Sequence, residues 1–250
     1  MKFFDTHCHL EKEMMENLIN SETKLVTNIA CDLVSSRESL QWTKDYDFVY
    51  GTIGLHPEFA EQISDDALEE LKILSKETKI VAIGEIGLDY HWDTNPSKEK
   101  QRQCFEEQIE LAKSLAMPIA IHTRDADQET LDILKDHKTF DNIPVLMHCF
   151  SGSAELGRQY IKLGAYLAIG GPVTYKNNRK GVEVVAASPL ERLVLETDSP
   201  YLTPEPLRGH PNTPVYVKYT AAKIAEIKGE SLELVAETTF QNAKKFYGIC

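Results

Sequence analysis

The sequence is short of three things, and each shortage removes a class of protein. Its five cysteines, at 8, 31, 104, 149 and 250, are scattered and form no CxxC pair. That argues against a zinc–thiolate site and a disulfide framework, and it points to a reducing compartment, the cytoplasm. No apolar run approaches the roughly eighteen residues of a membrane span. The start, Met1-Lys2-Phe3-Phe4-Asp5, reaches charge before any long apolar region, so it does not read as a signal peptide. Positive charge is also scarce: 27 Lys and Arg face 39 Asp and Glu, a net charge of −12. A broad electrostatic grip on nucleic acid is therefore not expected. A phosphate-bearing substrate would need local positive charge, which bound metal ions supply.

What is present is one long alternation. The 250 residues, 42% hydrophobic and 26% charged, suit a single soluble domain spanning 1–250 and match the usual size of a (β/α)8 barrel. Apolar runs predict strands at Phe3–His7, Leu25–Ala30, Tyr50–Gly54, Ile80–Glu85, Ile119–His122, Val145–His148, Tyr166–Ile169 and Leu193–Asp198. Helical patterns fall between them, clearest at Asp65–Lys76, Lys98–Leu115, Gln128–Lys135, Ala154–Leu163 and Val182–Ala187. Two more, Val215–Ile227 and Leu232–Tyr247, close the chain. No linker, repeat or low-complexity segment interrupts the series. The repeated strand–helix unit predicts a (β/α)8 TIM barrel. Loops at His91–Ser97, Gly170–Arg179 and Thr203–Thr213 follow strands, so they belong at the C-terminal rim.

Polar residues cluster at the predicted strand ends. In Asp5-Thr6-His7-Cys8-His9, alternation puts Asp5, His7 and His9 on one face. Two imidazoles spaced by one residue can chelate one cation. Asp5 lies deeper and is assigned to ligand support. Glu85 ends Ile80–Ile83 and Gly84, and is the best residue to give one oxygen to each of two ions. No lysine lies between Ile80 and Asp89 to serve as a carbamylated bridge. His122 and His148 end consecutive strands and can hold a second ion. Asp198 ends the last strand, where it can ligate and accept a proton from water; Glu196, one layer down, is support. Mixed imidazole and carboxylate donors suit Zn, Mn or Mg. Coordination lowers the pKa of water from about 15.7 towards 7, and paired ions suit in-line attack at phosphorus.

His56, in Gly54-Leu55-His56-Pro57, and Arg124 lie beside ligand-bearing strands and are the expected phosphate contacts. Lys176, Arg179, Arg208 and His210 fall in the overhanging loops and read as solvated surface. Tyr90, His91 and Trp92 offer either a stacking surface for a base or loop packing.

Taken together, the motifs DTHCHL (5–10), GLHP (54–57), GEIGLDY (84–90), IHTRDA (121–126), HCFSG (148–152) and ETDSPYL (196–202) resemble the TatD family of metal-dependent deoxyribonucleases. The resemblance implies a barrel, divalent metals and hydrolysis of DNA phosphodiesters. It also implies His7, His9, Glu85 and Asp198 around one ion, and Glu85, His122 and His148 around the other. The acidic composition favours single strands or chain ends as the DNA partner, with no membrane and no obligate protein partner. A second reading keeps the same metal site but takes small amides, lactones or phosphoesters as substrate. A third is a non-catalytic barrel that binds a metal or a partner.

Overall fold

Short runs of aliphatic residues form eight strands, hydrogen-bonded in chain order from first to last. They are β1 (Phe3–Cys8), β2 (Thr23–Asn28), β3 (Val49–Ile53), β4 (Ile80–Asp89), β5 (Ile119–Arg124), β6 (Val145–Met147), β7 (Tyr166–Ile169) and β8 (Leu193–Leu195). The α-helices are α1 (Met15–Ile19), α2 (Leu33–Asp45), α3 (Asp65–Leu74), α4 (Lys98–Leu115), α5 (Asp127–Asp136), α6 (Thr139–Asn142), α7 (Ala154–Lys162), α8 (Arg179–Ala187), α9 (Val217–Lys228) and α10 (Leu232–Tyr247). This computed structural model describes every residue from Met1 to Cys250. Parallel strands alternating with helices in sequence order are the (β/α)8 class that the sequence predicts.

Two compact units divide the chain, one of Met1–Asn28 with Cys149–Cys250, the other of Ile29–His148. In the first, the chain's end returns to its beginning. Asp198 N donates to His7 O at 2.9 Å and His9 N to Ser199 O at 2.8 Å, while Cys8 and Ser199 form a parallel bridge. Helix α10 covers this junction: Phe246 and Tyr247 are buried, and Tyr247 Oη donates to Thr6 O at 2.8 Å. Ser231 caps α10 by accepting from Leu234 N, which satisfies one of the helix's orphan donors.

In the second unit β3, β4, β5 and β6 pair in parallel, with Ile53, Ile83, Ile86, Ile119 and Ile121 fully buried. Helix α4 packs on this sheet through Phe105 and Ile109. It also buries two glutamines, Gln101 and Gln108. Gln108 accepts from Leu55 N at 2.8 Å and donates to Leu55 O at 2.9 Å. Gln101 does the same for Asp89, at 2.8 and 2.9 Å.

Several boundaries differ from the sequence reading. Helix α2 is not among the clear helical patterns of the sequence. Its inward face is Ser36, Ser39 and Thr43, all buried, so it lacks the apolar stripe that marks an amphipathic helix. Small residues suit that place, because a Cβ at Gly51 of β3 would meet Ser39 Oγ at 2.5 Å. Strand β4 does not stop at Glu85 but runs to Asp89, pairing Gly87 with His122 and Asp89 with Arg124. Gly87 has φ +144°, and a Cβ there would sit 1.9 Å from His122 O, so only glycine admits this close approach. Strands β6 and β8 end before His148 and Asp198, which fall in the segments just beyond. The loops 170–179 and 203–213 are tied together, with Tyr175 Oη donating to Thr203 O and Glu205 N to Thr174 Oγ1. Lys176, Arg179, Arg208 and His210 are exposed on them, as expected, and Arg208 lies over the Tyr175 ring at 4.2 Å.

Candidate metal centre

Each unit assembles one set of donors. In the first, alternation along β1 carries Asp5 and His7, and His9 follows at the strand's exit. His7 is fully buried, His9 and Asp198 partly so. Asp198 has φ +56°, a left-handed conformation that Asp adopts more readily than most residues. Its Oδ1 lies 3.7 Å from His7 Nε2 and 3.6 Å from His9 Nε2. These separations are too long for hydrogen bonds. They are close to the spacing of about 3.4 Å between donors that share a tetrahedral ion at 2.0–2.2 Å. The three residues form one potential ligand set.

The two buried acids of this unit hold the set in place. Asp5 accepts from Thr197 N at 2.8 Å and Thr197 Oγ1 at 2.5 Å, so it fixes the peptide that leads into Asp198. Burial pushes the Asp5 carboxyl well above its ordinary value, against the pull of the Thr197 hydrogen bonds. Glu196, also buried, accepts from Cys149 N at 2.7 Å and thereby anchors the residue after His148. Both acids brace backbone next to candidate ligands: Asp5 the peptide before Asp198, Glu196 the residue after His148.

In the second unit Glu85 is buried inside β4, and His122 lies beside it on β5. His122 Nδ1 is 2.8 Å from Glu85 Oε1, and its Nε2 is 3.0 Å from Asp89 Oδ2. The ring thus bridges two carboxylates. Burial opposes protonation of His122, but the bonds to Asp89 and Glu85 prevail and raise its pKa to about 9. Asp89 is held below the usual carboxylate range by its hydrogen bonds to His122 and His91 N, which outweigh its own desolvation. His148, just past β6, places Nε2 3.6 Å from Glu85 Oε1. This spacing again suits a shared cation better than a hydrogen bond.

His56 enters this group from the loop after β3. Its ring meets His122 edge-on at 4.5 Å, and with Glu85 and His122 it forms a second potential ligand set. Burial lowers its pKa to about 4. Nδ1 accepts from Glu58 N at 3.2 Å, so Nε2 carries the ring proton. At neutral pH His56 is therefore a neutral donor, not the cation one might assign to a phosphate clamp. Arg124 is exposed at the end of β5, its guanidinium 5.3 Å from the Trp92 ring centre. Asp89 was not named from the sequence. The signal that finds it is parity: Glu85, Gly87 and Asp89 alternate with the fully buried Ile86 and Leu88.

The donor chemistry of both units fits divalent cations, with imidazole and carboxylate and no thiolate required. Comparison with known proteins agrees. The family described as TatD related DNase matches residues 4–248. An uncharacterized metal-dependent hydrolase of Bacillus subtilis, YabD, is 42% identical over 98% of this chain and 99% of its own length. YcfH of Escherichia coli K12, likewise called an uncharacterized metal-dependent hydrolase, is 34% identical over 100% of this chain and 97% of its own. The crystal structure of YjjV, a TatD homologue from Escherichia coli K12, superposes with a TM-score of 0.92 at 30% identity, covering 99% of this chain and 98% of that one.

Proposed function

The chain belongs to the TatD related DNase family, and from that premise we propose that it is a metal-dependent hydrolase that cleaves phosphodiester bonds of DNA, acting on single strands or ends. The observation that carries this reading is the separation of Asp198 Oδ1 from the Nε2 atoms of His7 and His9, 3.7 and 3.6 Å, a cation-sized gap between three donors.

In this reading His7, His9 and Asp198 would hold one divalent ion, and Glu85, His122 and His148 would hold a second. Zn, Mn and Mg are the ions that suit the donors. Such ions supply Lewis acidity and bring the pKa of water near 7. The protein's own groups do the rest. Asp198 takes a proton at Oδ1 or Oδ2. Asp89 keeps His122 oriented through Nε2, which leaves Nδ1 to face Glu85. His56 offers its Nε2 proton to a phosphate oxygen, and Arg124 supplies the positive charge that an acidic chain otherwise lacks.

The experiment is hydrolysis of end-labelled single- and double-stranded DNA by stripped protein, with Zn, Mn and Mg added back singly, beside a panel of small esters, amides and lactones. Metal-dependent release from DNA supports the proposal. Turnover confined to the small panel would replace it with the small-molecule reading.

A further inference from the structure

Trp92 is an expensive residue to leave in water, yet it is 55% exposed. Nor is it on a slack loop. Asn95 N donates to Trp92 O at 3.1 Å, and Asn95 Nδ2 to Asp89 O at 3.2 Å. Gln101 Nε2 bonds Pro96 O at 2.9 Å, and His91 N bonds Asp89 Oδ1 at 2.9 Å. The loop 91–97 is thus braced from β4 and α4, and it presents an aromatic ring in a fixed place. That ring lines a cavity of about 200 Å³ with His56, Glu58, Asp89, Thr94 and Asn95. The volume lies below the roughly 300–1,000 Å³ of sites that take drug-sized ligands, so it suits a single planar ring system. The Arg124 guanidinium lies over the indole, 5.3 Å from the ring centre, so a cation sits against one face and a stacked base takes the other.

We propose that Trp92 and this cavity form a nucleobase subsite, in which a base stacks on the indole while Arg124 holds that nucleotide's phosphate. The inference rests on the phosphodiesterase reading for its biological sense, and the cavity shares His56 and Asp89 with the candidate metal centre. Every base offers a π-face, so stacking recognises nucleic acid without reading sequence. A pre-braced indole loses little further freedom on binding. The cavity wall adds the amide of Asn95, the hydroxyl of Thr94, the imidazole of His56 and the carboxylates of Glu58 and Asp89 for the edge of the base. An acidic protein can then hold a polyanion through one base and one phosphate in place of a basic stripe.

The sequence has two tryptophans, so Trp42→Phe leaves Trp92 as the only indole reporter. The probe is a phosphorothioate-linked thymidine dinucleotide, compared with its abasic counterpart of equal charge. The base-bearing probe should quench Trp92 emission saturably and the abasic probe should not. Calorimetry in the Trp42 background should show Trp92→Ala raising Kd roughly 5- to 150-fold, the equivalent of about 1–3 kcal/mol for one stacked base. Trp92→Phe should recover part of that loss. Equal quenching by the abasic probe, or unchanged affinity in Trp92→Ala, overturns the subsite. If no phosphodiester is cut while the titration succeeds, the hydrolase reading falls and the subsite stands. If wild type and Trp92→Ala cut abasic and base-bearing strands at equal rates, the subsite falls and the hydrolase reading stands.

Discussion

Asp89 Oδ2 lies 3.0 Å from His122 Nε2, on the side of the ring away from Glu85. A carboxylate in that position fixes both the tautomer and the plane of a ligating imidazole. Asp89→Asn should therefore weaken divalent-metal affinity about 10- to 100-fold, the usual cost of losing such a partner, and leave thermal stability of the loaded protein little changed. Competition against a fluorescent chelator measures it, and wild-type affinity in Asp89→Asn would contradict the assignment.

The same bond has a pH signature in chelated protein. The folded-state pKa of His122, about 9, stands above its ordinary 6.5, so the native state binds this proton more tightly than the unfolded chain does. The stabilisation is fully present below pH 6.5 and is lost as pH climbs through about 9. Urea midpoints of chelator-treated wild type should fall from pH 6.5 to pH 9 relative to His122→Asn. Parallel pH profiles for the two proteins would refute it. Metal binding by this ring must expel the proton, so loading near neutral pH should acidify a weakly buffered solution.

Turnover should vanish on chelation and return with a divalent cation. Asp198→Ala or Glu85→Ala should lower kcat by roughly 10²–10⁴-fold, the range of a lost acid–base group, with the far-UV circular dichroism spectrum preserved. Asp5→Asn should do less, because Asp5 holds the Thr197 peptide in place of touching substrate. Near-normal kcat in Asp198→Ala at saturating metal would remove its role.

Gln108→Leu should destabilise the protein by about 2–6 kcal/mol. It strands the N–H and C=O of Leu55, both buried, at roughly 1–3 kcal/mol per unmade bond. Chemical denaturation checks this, and a change under 0.5 kcal/mol would show that the two bonds are replaced by other partners.

Much of the candidate site was legible because its potential ligands lie next to regular features. His7 and His9 follow the strand period out of β1, and Asp198 follows the short apolar run Leu193–Leu195, which reads as a strand. Asp89 was not legible, because Glu85 read as the end of its strand. The continuation depends on Gly87, whose missing Cβ lets β4 stay against the His122 backbone. Helix α2 was hidden for a different reason. Its buried face is hydroxyl-bearing, chosen for size against β3, and apolar periodicity carries no trace of it. The charge state of His56 was equally invisible, since it comes from burial among groups brought together only by the fold.

Gln101 and Gln108 stand seven residues apart on α4, nearly two turns, and each clasps one segment of the backbone: Gln108 the residue before His56, Gln101 the peptide of Asp89. The helix therefore works as a gauge that sets the distance between two parts of the rim. A single residue inserted between the glutamines would turn one about 100° away from the other, and only one clasp could survive. Length variation among related chains should accordingly avoid 101–108 and accumulate in the loops on either side of α4.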